Sequence, residues 1–420
     1  MPTVTLITLS TALSIVSFAV PASARDWPQW RGPGQPGVSL ESSWSSNWGK
    51  DGPPAIWKRS VGTGFSSFAV SEGRVVTMGH ANGTDGVFCL HAYNGSLLWE
   101  HRYECPLWDH EHEGGPGATP SIADDHVYTL SREGHLFCLH LKTGAVKWQK
   151  NLRSQFSVGK KPAEPYRDYG YTGSPIVMGK LLVVPVGGKN ANTVAFDRIT
   201  GEVIWTSGNT KSQSGTGYGS AVPFSWLGKS FIALLMLKDL EILETETGRQ
   251  VATFPWVTDY GNNNTDPCIH ENRIFITTDF GKGGVGLEFD GKNLKEVFRR
   301  QDTPCKMGSP IVSQGHIYAS TTSGTLKCID MKTGEVRWKQ RGLRQGSLLL
   351  AGDRFLYLGE RGDLVAARMT PTAYSEVARA KVHDGRCWTP PVLANGLLYV
   401  RNSAGDVVCL DLLSPGPRGR

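Results

Sequence analysis

Short β-rich apolar runs recur along the chain, each broken by glycine, proline, asparagine or aspartate, in a pattern of many short strands rather than long helices. Three stretches show the unit most clearly. They are TPSIADDHVYTLSREGHLFCLHLKTGAVKWQKNL from Thr119, GSPIVMGKLLVVPVGGKNANTVAFDRITGEVIWTSG from Gly173, and GSPIVSQGHIYASTTSGTLKCIDMKTGEVRWKQRG from Gly308. Each holds four runs, strands a to d, so the chain is a repeat protein.

The turn between c and d is the most regular part of the unit. Asn94-Gly95, Thr143-Gly144, Thr200-Gly201 and Thr333-Gly334 are followed, four residues after the glycine, by Trp99, Trp148, Trp205 and Trp338. Glycine supplies the positive φ of such turns, and an aspartate before the turn, as at Asp197 and Asp330, can bond its backbone. Thr247-Gly248 keeps the turn without the tryptophan. The ring of each tryptophan is expected between neighbouring sheets, as mortar rather than as part of an active site.

Units begin near Phe65, Thr119, Gly173, Gly219, Asp266, Gly308, Gly346 and Trp388, with Phe298 and Val377 near the tryptophan position of the worn fifth and seventh. The eighth ends at Val407–Leu413 without a d strand, whereas an orphan d-like strand, Ala55–Ser60, precedes the first. Supplying the missing outer strand from the N-terminus closes a ring and removes a sheet edge. The predicted fold is therefore all-β: an eight-bladed β-propeller of four-stranded antiparallel blades over residues 55–413. A solenoid would need capping repeats, and none is visible. Residues 25–54 carry Trp27, Trp30, Trp44 and Trp48, costly to leave in water, and are expected to pack irregularly across the ring. Residues 414–420, SPGPRGR, read as a disordered tail.

Charge and cysteines narrow the class. A net charge of +6, with no long block of like charges, gives no nucleic-acid footprint. Residues 1–24 contain no charged side chain; the apolar run Leu6–Val20 followed by Ala22-Ser23-Ala24 reads as a cleaved signal peptide, with a retained anchor as the alternative. No later stretch is long enough to span a bilayer, and the expected location is the periplasm or exterior. Cys89, Cys138, Cys328 and Cys409 share one repeat position, too far apart to bond, and read as buried small hydrophobes. Cys105, Cys268, Cys305 and Cys387 fall between repeats, where their pairing stays open.

The repeat ending D-x-x-T-G-x-x-x-W resembles the PQQ-like (pyrroloquinoline-quinone-like) repeat family over residues 55–413. That family includes quinoprotein alcohol dehydrogenases and the non-enzymatic assembly lipoprotein BamB. The segments DWPQWRGP, GGPGATPSI (Gly114–Ile122) and CWTPPVLANGLLYVRNSAGDVVCLDL (Cys387–Leu412) are similar to an exported bacterial branch with no established reaction. The resemblance implies fold far more than function. The dehydrogenases hold PQQ between a tryptophan and a disulfide of adjacent cysteines, beside calcium, and this chain has no Cys-Cys pair.

In a propeller, the d-to-a loops crowd one face around the channel. Here they are rich in residue types suited to recognition, flat rings with donors. The candidate ligand-binding residues are Trp108, His110 and His112 in CPLWDHEHEGG, and Tyr166, Arg167, Tyr169 and Tyr171 in EPYRDYGYTG. Tyr218 in KSQSGTGYG, Lys306, Arg344, Arg386 and Trp388 complete the set. The bland alternative is that large loops fill the channel mouth with rings. His110 and His112 alternate as a metal pair could, but a solvated acidic loop is the favoured reading, and no metal is expected. Asp259, Asn262, Asn264 and Asp266 in DYGNNNTD could offer oxygens to calcium, but a turn is the favoured reading. GKGGVG (Gly281–Gly286) leads into a strand, so no helix N-terminus exists for a phosphate.

The preferred reading is a non-catalytic exported propeller that binds an envelope or extracellular protein, a peptide or a small polar ligand, with no cofactor. The alternatives are a PQQ- and calcium-dependent oxidoreductase and a carbohydrate-binding or carbohydrate-active propeller.

Overall fold

The computed structural model describes residues 26–34, 36–49, 51–158, 169–208, 216–259 and 261–413. Eight antiparallel sheets of four strands make up the ring, which is the predicted all-β, eight-bladed propeller. Blade 1 shows the plan, with Ala69–Ser71 innermost, then Arg74–Ala81, Thr84–His91 and, outermost, Leu97–Glu104. In the last blade, Ala55–Ser60 pairs antiparallel with Asp406–Asp411, so the N-terminal strand closes the ring as the strand count predicts. Arg401 then ties that blade to blade 1. Its guanidinium is wholly buried and donates to the carbonyls of Ser66 (2.9 Å), Met78 (2.7 Å) and Gly62 (3.1 Å).

The tryptophans lie between sheets. Each reaches into the c–d turn of the next blade, where its Nε1–H donates to a backbone carbonyl. Trp57 bonds Ala92, Trp99 bonds Leu141, Trp148 bonds Arg198, Trp205 bonds Thr245 and Trp338 bonds Thr370, at 2.8–3.1 Å. The turn glycine lies against the ring. A Cβ on Gly248 (φ +68°) would sit 2.3 Å from Trp205, so the position needs glycine for space as well as for φ. Phe298 takes the same place under Gly334. The four cysteines of the shared repeat position are wholly buried. All eight cysteines are buried and unbonded.

A second girdle runs round the channel, two residues before the start of the innermost strand in blades 1 to 6. The N–H of Ser67 donates to Thr119 Oγ1, Thr119 to Ser174 Oγ, Ser174 to Ser220 Oγ, Ser220 to Asp266 Oδ1 and Asp266 to Ser309 Oγ, at 2.8–3.0 Å. Ser67 Oγ closes towards the last blade through Pro390 O. Small hydroxyl or carboxylate side chains suit this place, because each must accept from the neighbouring blade's backbone within a narrow bore.

The two ends of the ring differ. At the end carrying the a–b and c–d turns, residues 26–44 form a strap. Trp27 exchanges backbone bonds with Val70, Pro28 accepts from Ile122, Trp30 Nε1 donates to Asp266 (2.7 Å), Arg31 donates to Pro310 O (2.6 Å), and Val38–Ser39 pairs parallel to blade 7. Trp44 stacks under Arg354, 4.1 Å from its guanidinium, and donates to Ala351 O. Under the strap remains a pocket of about 20 Å³, room for about one water. The opposite end, the loop face, carries the d–a loops. Residues 1–24 and the tail lie outside the described residues.

Candidate binding site on the loop face

Rings from five successive d–a loops meet on the loop face. His112 is the hub, with Phe65 edge-on at 4.9 Å, Tyr169 stacked at 5.1 Å, Trp388 at 6.3 Å and Trp108 at 6.4 Å between ring centres. Trp108 stands perpendicular to Tyr169 at 5.0 Å and to His110 at 5.1 Å, and Tyr169 meets Tyr218 edge-on at 5.6 Å. Phe65 stacks on Trp388 at 5.6 Å. At the inner margin Arg386 lies over Trp388 at 4.4 Å and donates to Glu113 (2.6 Å).

Backbone geometry sets the polar character of the hub. The Gly114 N–H donates to His112 Nδ1 (3.0 Å), which places the imidazole proton on Nε2. Burial, followed by smaller effects of neighbouring charges, lowers the His112 pKa, so at neutral pH it is an uncharged donor. Burial raises the Tyr169 hydroxyl, and the Glu111 carboxylate adds to that rise, so Tyr169 stays protonated. Beside Trp108 a cavity of about 650 Å³ is bounded by Arg132, Glu133, His135, Asn151 and Arg153.

The candidates from sequence thus divide. Trp108, His110, His112, Tyr169, Tyr218, Arg386 and Trp388 come together. Lys306 and Arg344 lie on other blades; Lys306 sits 5.6 Å from the Phe280 ring and Arg344 is exposed. Tyr171 does not belong to the face: it is 5% exposed in the core between blades, its hydroxyl donating to Val186 O (2.8 Å). Gly170 between Tyr169 and Tyr171 has φ +69°, and the turn it makes sends one ring out and the other in. Tyr166 and Arg167 fall outside the described residues. Phe65 and Glu113 are members that the sequence reading missed. Phe65 opens unit 1 much as Trp388 opens unit 8, and that correspondence was the available signal.

Within DYGNNNTD, Asn263 and Asp266 serve the fold. Asn263 is wholly buried, and its Nδ2 donates to the carbonyls of Met236 (2.6 Å), Leu237 (3.1 Å) and Trp256 (3.3 Å), while Asp266 belongs to the channel girdle.

A sequence profile described as outer membrane protein assembly factor BamB matches residues 104–340 and 189–414. The chain belongs to the BamB family. BamB of Kangiella koreensis is 26% identical over 218 residues, 51% of this chain and 49% of that protein. This chain spans about half, or less, of the length of the curated relatives it matches. Among solved structures, BamB from Moraxella catarrhalis superposes with a TM-score of 0.59 at 16% identity, covering 85% of this chain and 97% of the other. A europium-containing methanol dehydrogenase gives 0.66 at 12% identity, covering 90% and 89%. These likenesses carry the fold, not the chemistry.

The disulfide side of the dehydrogenases' quinone sandwich has no counterpart here. That arrangement needs a disulfide of adjacent cysteines against the cofactor ring. This sequence has no adjacent pair, and every cysteine is buried.

Proposed function

We propose that this BamB-family chain is an exported, non-catalytic scaffold that holds a protein, a peptide or a small polar ligand on its loop face. The observation that carries this reading is the hub of rings around His112. Five loops contribute to it, while the strap covers the opposite mouth. Rings and arginine gathered on loops above a rigid scaffold are the usual make-up of a recognition surface. Relatives named as outer membrane protein assembly factors favour a protein over a small molecule. Among the described residues no helix is long and apolar enough to cross a membrane.

The test is partner capture with the full chain against a folded Tyr169→Ala/Trp388→Ala variant. Loss of the partner with an unchanged unfolding transition is expected. Undiminished capture by the folded variant would overturn the assignment of the face.

A further inference from the structure

We infer that the strap end of the ring rests on a membrane surface, with exposed apolar tips entering the lipid interface. This is the end opposite the loop face, and the inference stands apart from the partner assigned there.

Exposed apolar side chains gather at one end of the molecule. Among the described residues, six large ones are at least half exposed, and five of these lie at the strap end. They are Leu40 on the strap, Leu227 on the a–b turn of blade 4, Tyr93 and Ile199 on the c–d turns of blades 1 and 3, and Leu413 just past the last strand of blade 8. Val257, at the loop end, is the sixth. Single exposed leucines are ordinary, but a bias to one end is not.

The most exposed of the five also breaks a backbone rule. Every blade joins strands a and b by a two-residue turn whose first residue has a positive φ, between +49° and +62°. Seven blades place glycine or a polar residue there, as at Glu72, Asp124, Gly179 and Asn395. Blade 4 places Leu227 there, 71% exposed at φ +49°. A bulky apolar side chain is disfavoured in that conformation and again in water, so neither folding nor solubility accounts for it.

The spread of the tips selects the occupant. They belong to blades 1, 3, 4 and 8 and to the strap, so they ring the end rather than fill one patch. A protein partner needs a continuous, complementary area. A lipid interface has no fixed shape and takes apolar tips wherever they project, with tyrosine suited to the headgroup level. Chain direction fits the same end. Asp26 is held there by Ser71 Oγ (2.9 Å) and Asn395 Nδ2 (3.0 Å), and the apolar run Leu6–Val20 lies just upstream in sequence. A chain that keeps this run therefore meets a bilayer strap end first.

The experiment attaches an environment-sensitive thiol dye to the full chain through Lys229→Cys, on the Leu227 turn, or through Val257→Cys at the loop end. All eight native cysteines are buried, so the new thiol takes the label. Vesicles of phosphatidylethanolamine and phosphatidylglycerol, with and without nitroxide-bearing lipid, are then added. A blue shift with quenching is expected at position 229 and not at 257. Leu40→Ser/Leu227→Asn should abolish that shift, or raise the lipid needed for half of it roughly tenfold. Asparagine suits the positive φ, so Leu227→Asn alone should not lower the unfolding midpoint. A vesicle-bound chain whose dye at 229 stays in water, as anchoring through Leu6–Val20 alone would give, overturns the inference. So do absence of vesicle binding, equal shifts at 229 and 257, or an unaltered shift in the folded leucine variant. A dye at 229 that becomes shielded without lipid as protein concentration rises assigns this end to a second copy of the chain and overturns it too.

Discussion

The two mouths of the channel are built from the same residue types used in opposite ways. On the strap side, Trp30 Nε1 is spent on Asp266, Trp44 Nε1 on Ala351 O, and Arg31 on Pro310 O. On the loop side, Trp108 and His112 each keep a donor unspent among the described residues, and Arg386 is shared between a ring and a carboxylate. Two buried glutamates repeat the contrast. Glu41 on the strap accepts from Gly396 N–H, whereas Glu241, near the loop end of blade 4, has Asp239 beside it and one oxygen without a partner. A mouth whose polar atoms are satisfied from within, the buried Trp48 Nε1 excepted, is a seal. One whose ring donors stay unpaired among the described residues leaves them for solvent or for the partner proposed above.

The comparison breaks most easily at the seal. Trp44 is 2% exposed, so Trp44→Ala removes a large buried ring, its cation–π partner and one hydrogen bond. A loss of about 3–5 kcal/mol is expected, measured by denaturant unfolding. A loss below about 1 kcal/mol would mean that the strap lies on the ring without stabilising it.

Much of this architecture was readable before any coordinates, and the reason is local. Threonine-glycine turn and following tryptophan form one physical unit, ring against glycine, so the repeat reports packing directly. The orphan strand Ala55–Ser60 likewise had only one place to pair. The girdle was less visible, although Ser or Thr before proline at Thr119, Ser174, Ser309 and Thr389 marked it, with Asp266 as the variant. Asp266 read as part of a turn, its girdle role hidden because its partners lie 43 to 46 residues away, on the blades either side. The site was half legible. Loop composition identified the face, but which ring points outward depends on the exit angle of each loop, and Tyr171 shows how a left-handed glycine, Gly170, turns the next side chain into the core.

A pH titration sharpens the contrast between the glutamates. Burial, with Asp239 adding to it, raises the Glu241 pKa to about 7, and only the Asn192 amide opposes the shift. An unfolded glutamate titrates near 4.5. Between those values the folded chain holds a proton that the unfolded chain has released. Stability on this account is therefore intact below about 4.5 and falls as pH rises towards 7. Glu241→Gln, which keeps the Asn192 contact without the charge, should raise Tm more at pH 8 than at pH 5. An equal shift at both values would mean that water or a cation already neutralises the carboxylate.

The smallest stability effect is expected where the functional effect is largest. Trp108 is only half-buried, its Nε1 makes no hydrogen bond among the described residues, and its neighbours His110 and Tyr169 are themselves loop residues. Trp108→Ala should therefore cost no more than about 1 kcal/mol, well under the Trp44 change, because solvent already touches the ring and no backbone acceptor is orphaned. If instead Trp108→Ala unfolds the protein as readily as Trp44→Ala, the rings around His112 are packing for the channel mouth. The two faces would then be the same kind of surface. A near-silent unfolding curve with lost binding would establish that this chain spends one set of tryptophans on closing its ring and keeps the other for a partner.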